Sequence, residues 1–314
     1  MFEKKGLRLS RLTLGTVQLG MPYGIANKSG QPDEEEAFRI LQTAEEGGIR
    51  CLDTAHAYGV SEEVLGRYFA RKSGGEPRPV IVSKIKLDLE DQASGLEVER
   101  MMDGQLEQSL KRLGLNRLPV LLLHNPHVLA RHGRAIVKGL ERLVRDGLIG
   151  MAGVSAGNDI DDQFRMFWPI IRQDLFEAVQ IPINILDHRL FANGGLNKLR
   201  GSGKIVFARS IFVQGLIFLR DEELPGHLKD AAGPLAVLRD LSARTGLSAA
   251  QMAVSFIRDL PEIDSLVIGA ETEKQLREIL ALMEGPPLPA EIRQELMERL
   301  SGVPEHVVNP VLWN

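Results

Sequence analysis

Eight short runs of β-branched or leucine-rich sequence recur along the chain, at residues 12–17, 50–55, 80–85, 120–125, 149–155, 178–183, 204–210 and 265–270. Most are apolar without interruption. A strand that alternates apolar and polar residues can face water on one side, whereas one that is apolar throughout needs cover on both faces. Between the runs lie segments with helical spacing and helical stops: 33–47, ending at Gly47-Gly48, a helix opened by Ser61 as N-cap, and 96–113, closed by Gly114. Further segments are 134–145, closed by Gly147, then 161–172, 233–245, 248–260 and 272–283.

Strand and helix in regular alternation predict an α/β fold of the (β/α)8 TIM-barrel type, a parallel sheet closed on itself. The alternative, an open doubly wound sheet, calls for a G-x-G-x-x-G turn after the first strand, and Gly15-Thr16-Val17-Gln18-Leu19-Gly20 does not fit it. The reading is one barrel domain over 1–314, with its core at about 12–283. It has an extra helix before the eighth strand, a C-terminal helix at 289–300 and an irregular tail at 302–314. Residues 73–79 read as a plain loop, and the stretches 186–195 and 220–233 as longer loops bordering a pocket.

Composition narrows the partners. With 42 acidic and 38 basic residues the net charge is −4, and no basic stripe exists to displace counterions from a nucleic acid. The single cysteine, Cys51, excludes an internal disulfide and makes a cysteine zinc site untenable; it reads as an inert core residue. The longest apolar stretch, 211–219, is broken by Gln214 and Gly215 and falls far short of the roughly 20 residues that span a bilayer. With no apolar leader at the N-terminus, the expectation is a cytoplasmic protein without membrane contact. Its oligomeric state is not readable.

Reactive groups in such a barrel lie at the carboxyl ends of the strands. The second strand ends in Asp53-Thr54-Ala55-His56-Ala57-Tyr58-Gly59, the third in Ser83-Lys84 and the fourth in His124-Asn125. A phenol beside an ammonium can release its proton nearer neutral pH than a free tyrosine, whose pKa is about 10. Tyr58 could thus donate a proton to a developing alkoxide, Asp53 would balance a buried Lys84, and His124 would hold the substrate oxygen. No H-E-x-x-H or P-loop competes with this reading, no histidine spacing suggests a metal cage, and a hydride would have to come from a cofactor.

The segment from Leu52 to Gly66, with Lys84 and with His124 after Leu121-Leu122-Leu123, resembles the aldo-keto reductase family. Landmarks in the same order are Leu14-Gly15-Thr16 with Gly20, Gly153-Val154-Ser155, Val179-Gln180 with Asn184, Gln214-Gly215-Leu216 and Ile268-Gly269-Ala270. The resemblance implies a barrel that binds NADPH, or NADH as the alternative, and passes hydride to an aldehyde or ketone. It implies Tyr58 as general acid, Lys84 and Asp53 as its tuning pair, and His124 as the orienting residue. Ser155 and Gln180 would hold the nicotinamide carboxamide and Arg209 would lie under its ring, with Gly15, Thr16 and Ser210 as further cofactor-binding residues. Gln214, Gly215 and Leu216 would line the pyrophosphate path, and Gly269, Glu273, Lys274 and Gln275 the adenosine end. Two positions depart from the family: Ala156 and Ile279 stand where many members carry Asn, with Asn158 the candidate replacement for the first. At the adenosine end Glu271 and Glu273 oppose a 2′-phosphate, while Lys274 and Arg277 favour one.

Two rival functions stay open on sequence alone: a Schiff-base lyase using Lys84, and a nucleotide-binding regulatory barrel without turnover. His56 and His127 could face the pocket, and the remaining histidines read as surface or loop residues. Thr272 with Gln275 reads as a helix cap. Trp168 reads as the end of the fifth helix, and Trp313 as cover for the pocket or the barrel wall. Polar loop residues, Asn125, His127, Asp187, His188, Arg189 and Arg220, suit a sugar-like carbonyl substrate.

Overall fold

The computed structural model describes residues 1–72 and 78–313, apart from the side chain of Asp162; the loop expected at 73–79 falls largely outside them. Among the described residues ten strands run in chain order: β1 (Phe2–Lys4), β2 (Leu7–Leu9), β3 (Leu12–Gly15), β4 (Cys51–Asp53), β5 (Val80–Ile85), β6 (Leu118–Leu123), β7 (Ile149–Ser155), β8 (Phe176–Pro182), β9 (Ile205–Arg209) and β10 (Ser265–Gly269). β3 to β10 pair in parallel and close into a barrel, β10 lying beside β3. All eight apolar runs are barrel strands, and both faces of each are covered, as uninterrupted apolar sequence requires.

Side chains alternate along each strand, and the inward set forms the barrel core: Cys51, Val82, Val120, Leu122, Met151, Ala178, Ile205, Phe207 and Val267. The hairpin of β1 and β2 closes the amino-terminal end, where Leu9 is fully buried against that core and Lys4 bridges to Asp264 at 2.7 Å. The sequence reading missed this hairpin. The outward set packs under helices including Glu34–Glu46, Gly95–Leu113, Leu129–Arg145 and Glu273–Glu284. Their ends follow the sequence: Asp33 accepts from Glu36 N, Ser94 and Glu97 cap each other, Gly114 is left-handed, and Thr272 accepts from Gln275 N.

Several local expectations are corrected. Ser61 is the first helical residue of Ser61–Ala70, not its cap, because its hydroxyl is drawn into the barrel wall. The segment 161–172 is two helices, Ile160–Met166 and Trp168–Ile171, with Trp168 opening the second and stacked on Phe164. The sixth crossover, read only as a loop, carries helices Arg189–Ala192 and Gly195–Arg200. Two helices, Ala232–Thr245 and Ala249–Arg258, do precede the last barrel strand, and Ala290–Arg299 follows the final barrel helix. The tail is ordered rather than irregular: Glu305–Val308 is helical, and Trp313 is buried, its Nε1 donating to His306 O. Among the described residues no helix is long and apolar enough to cross a membrane.

Candidate active site

Alternation that fills the barrel with Cys51, Val82 and Leu122 places Asp53, Lys84 and His124 one step higher, on the same inward side. These three cap the core at the carboxyl end of neighbouring strands, where solvent first reaches the interior. Register makes the neighbourhood specific: Asp53 lies opposite Val82 and Gly15, and Lys84 opposite Leu122.

Lys84 is the hub. It is 0% exposed, and its Nζ donates to Asp53 Oδ2 at 2.7 Å, to Thr54 O at 2.8 Å and to Tyr58 Oη at 3.3 Å. Burial alone would drive the proton off this ammonium, but the Asp53 carboxylate, with Tyr58 beside it, outweighs burial and holds the Lys84 pKa above its ordinary value. Asp53 spends its second oxygen on Gln180, whose Nε2 donates at 2.7 Å. Tyr58 meets the His124 ring edge to face, with centroids 5.8 Å apart. His124 is largely buried; desolvation first, then the positive charges of Lys84 and Arg209, pull its pKa down to about 3. Its imidazole is therefore neutral at physiological pH.

Tyr58 lies after β4 on a turn that only close backbone contact could hold. A Cβ on Gly20 would stand 1.9 Å from Tyr58 O, and Gly59, at φ +53°, packs against Gly20 from the other side. Beneath the turn the buried Ser61 hydroxyl meets Thr16 Oγ1 at 2.7 Å and Thr54 Oγ1 at 3.0 Å, and donates to Thr16 O. Thr16 Oγ1 in turn bonds Asp53 O. These contacts explain Ser61 and assign Thr16 to the support of the turn.

Above the hub opens a cavity of about 840 Å³, within the range of ligand and cofactor sites. Tyr58, His124 and Arg209 line one part, and Gly269, Gln275 and Ile279 another. Three side-chain atoms on its wall, Gln18 Oε1, His124 Nδ1 and Asn158 Oδ1, are buried with no hydrogen-bond partner among the described residues. Such atoms are costly unless a bound group satisfies them. A largely apolar cavity of this volume with unpaired polar atoms on its wall fits a dinucleotide.

The expected cofactor residues divide. Gly15, Thr16, Arg209, Ser210, Gln214, Gly215, Gly269 and Gln275 are on the cavity wall. Arg209 is held there by Ala156 O at 2.9 Å and Ser210 Oγ at 3.0 Å. Ser210, Val213 and Gln214 all have φ between +49° and +66°, a strained run for non-glycine residues and typical of a ligand-facing loop. Ser155 and Gln180 are instead behind the wall: Ser155 Oγ donates to Gln180 Oε1 at 3.3 Å while Gln180 is tied to Asp53, so in this arrangement both amide ends are engaged. The Leu216 side chain is packed in the core rather than along a pyrophosphate path. Glu273 turns toward the helix Glu34–Glu46 and Lys274 toward solvent, so neither is among the wall residues described.

Sequence reasoning overlooked Gln18, although it lies just beyond β3, where the strand-end rule points. Tyr23 lines the cavity, and burial pushes its phenol up, with Arg209 and Gln214 opposing. His127 lines the cavity, whereas His56 is engaged with Gln108. His188, read as a surface or loop residue and counted among the polar pocket-loop groups, is buried and stacked on Phe256. Among the described residues no cluster of three His, Cys, Asp or Glu side chains could hold a metal ion.

Comparison with known proteins adds an independent line. The model of the Aldo/keto reductase family matches residues 11–298. The uncharacterized oxidoreductase YrpG of Bacillus subtilis (strain 168) is 26% identical over 90% of this chain and 89% of its own. Among solved structures, the holo form of aldo-keto reductase AKR11C1 from Bacillus halodurans superposes with a TM-score of 0.72 at 22% identity, over 97% of each chain. The glycerol dehydrogenase AKR11B4 from Gluconobacter oxydans gives 0.70 at 22% identity, over 98% of this chain and 96% of that one. At such identity the two structures speak to the fold.

Proposed function

The chain belongs to the aldo/keto reductase family, as an NAD(P)H-dependent oxidoreductase, and from that premise we propose that it reduces an aldehyde or ketone with Tyr58 as proton donor. One observation carries the reading: a fully buried Lys84 ammonium, compensated by Asp53, 3.3 Å from the Tyr58 hydroxyl on the cavity wall.

A reduced nicotinamide, when bound, supplies the hydride. The chain's own residues manage charge and protons. Tyr58 Oη donates its proton to the carbonyl oxygen as that oxygen gains negative charge. Lys84 stays protonated and offsets the charge left on the phenol oxygen, and Asp53 keeps the ammonium in place. Neutral His124 offers a ring N–H to the same oxygen without adding a titrating charge. At the nicotinamide carboxamide, Asn158 Oδ1 is a buried, unpaired acceptor on the wall and suits the grip that Ala156 lacks.

The geometry speaks against Schiff-base chemistry. Lys84 directs its protons to three acceptors, and a pKa held above the ordinary value denies it the lone pair of a nucleophile. The sugar-like substrate expected from loop composition keeps support only at Asn125 and His127, both on the wall. Asn125 is already bonded at both ends to the Leu87 backbone. Asp187 and Arg189 pair with each other, and Arg220 with Glu223. With Phe218 and Val311 also on the wall, a carbonyl compound with an apolar side fits better. The test is to supply reduced nicotinamide bearing deuterium at C4 with a panel of aldehydes and ketones. Deuterium should appear on the former carbonyl carbon of the product. No carbonyl-dependent oxidation with any member of the panel would overturn the proposal.

A further inference from the structure

We propose that the cavity selects NADH over NADPH, an inference that rests on the dinucleotide reading above and sharpens it. A dinucleotide whose reacting ring lies beside Tyr58 must place its adenosine ribose at the other end of the cavity, beside β10 and the helix Glu273–Glu284. The two nucleotides differ there only in the 2′ substituent, a neutral hydroxyl or a phosphate that is anionic at neutral pH.

The charged wall residues at that end are Glu271 and Glu278. Glu271 Oε2 accepts from Ser29 Oγ at 3.1 Å, and its second oxygen remains available to a ribose hydroxyl. Carboxylates are good acceptors for a 2′-hydroxyl and poor neighbours for a 2′-phosphate, which wants arginine or lysine. The cations near this end have other partners. Arg277 donates through Nε and Nη2 to Glu273 Oε1 at 2.8 and 2.6 Å, on the side of the helix Glu34–Glu46. Arg39 is paired with Glu36, and Lys28 with Glu223 at 3.0 Å. Lys274 projects into solvent with its side chain 87% exposed, 3.9 Å from Glu278. Among the described residues the one arginine or lysine on the cavity wall is Arg209, whose charge falls on His124 and Tyr23 at the reacting end.

Isothermal titration of the wild-type chain with NADH and with NADPH reads the preference without turnover. NADH should bind about tenfold or more tightly, a difference of roughly 1.4 kcal/mol or more. In the Glu271→Gln/Glu278→Gln variant the gap should narrow by about threefold or more, because NADPH gains affinity; added salt should narrow it in the wild type as it screens the repulsion. Equal or tighter binding of NADPH by the wild type would overturn the inference while leaving the dinucleotide reading intact. So would a gap unchanged in the variant. Failure of both nucleotides to bind would overturn the reading itself, and the inference with it.

Discussion

Lys84 and Asp53 are almost wholly buried, so the Lys84 ammonium depends on the carboxylate beside it to keep its charge. Removing the carboxylate leaves a buried ammonium with two neutral partners, Thr54 O and Tyr58 Oη. Asp53→Ala should therefore lower stability by about 3–5 kcal/mol, read from urea unfolding at pH 7. A loss below about 1 kcal/mol would mean that the pair is not isolated as described. His124 makes a pH prediction. In the unfolded chain its ring takes a proton near pH 6.5, but in the fold only near pH 3. Between those values the unfolded state binds the extra proton, so this group's contribution to stability is present above about 6.5 and lost as pH falls toward 3. Unfolding midpoints at pH 7 and pH 4.5 should fall further apart in the wild type than in His124→Gln. The Asp53, Lys84 and His124 positions were legible from sequence because strand ends and period-two alternation fix which side chains cap a barrel. The bond from Gln180 to Asp53 was not legible, since bringing the ends of strands β4 and β8 together depends on three-dimensional closure.

The element that matters most is the turn carrying Tyr58, which is held by backbone packed on backbone. Gly20→Ala would force a methyl against Tyr58 O and Ser61 N, displacing the phenol from Lys84. It should lower kcat by about 100-fold, a loss in the range assigned to a misplaced acid, while leaving cooperative unfolding intact. A variant with unchanged kcat would remove the close approach from the account. Elements long and apolar enough to be periodic were readable, and all eight barrel strands were. Those missed are short or polar. The hairpin Phe2–Leu9 reads Phe-Glu-Lys-Lys-Gly-Leu-Arg-Leu, and its burial comes from the barrel floor it covers rather than from its own pattern. Gly195–Arg200 is one polar turn and a half between glycines, and Glu305–Val308 follows a proline and gains its order by docking, with Glu305 bound to Arg189 at 3.0 Å. Such pieces are specified by their neighbours, which a linear reading does not see.

Taken whole, the molecule divides its labour along the barrel axis. Packing fills the amino-terminal end, where Leu9 and the hairpin plug the core, and the polar, partly unpaired groups collect at the carboxyl end. Leu9→Ala should cost about 2–4 kcal/mol of stability, measured by denaturant unfolding, with kcat and KM unchanged at temperatures where the variant is folded. A change in KM without loss of stability would contradict the division. The central claim concerns the other end, that the Tyr58 hydroxyl delivers the proton. The direct test compares kcat/KM for carbonyl reduction and nucleotide Kd in the wild type and Tyr58→Phe. In Tyr58→Phe, kcat/KM should be lower by about 100-fold or more, with Kd unchanged within about threefold because the ring and its packing remain. Equal kcat/KM in the two proteins would contradict it.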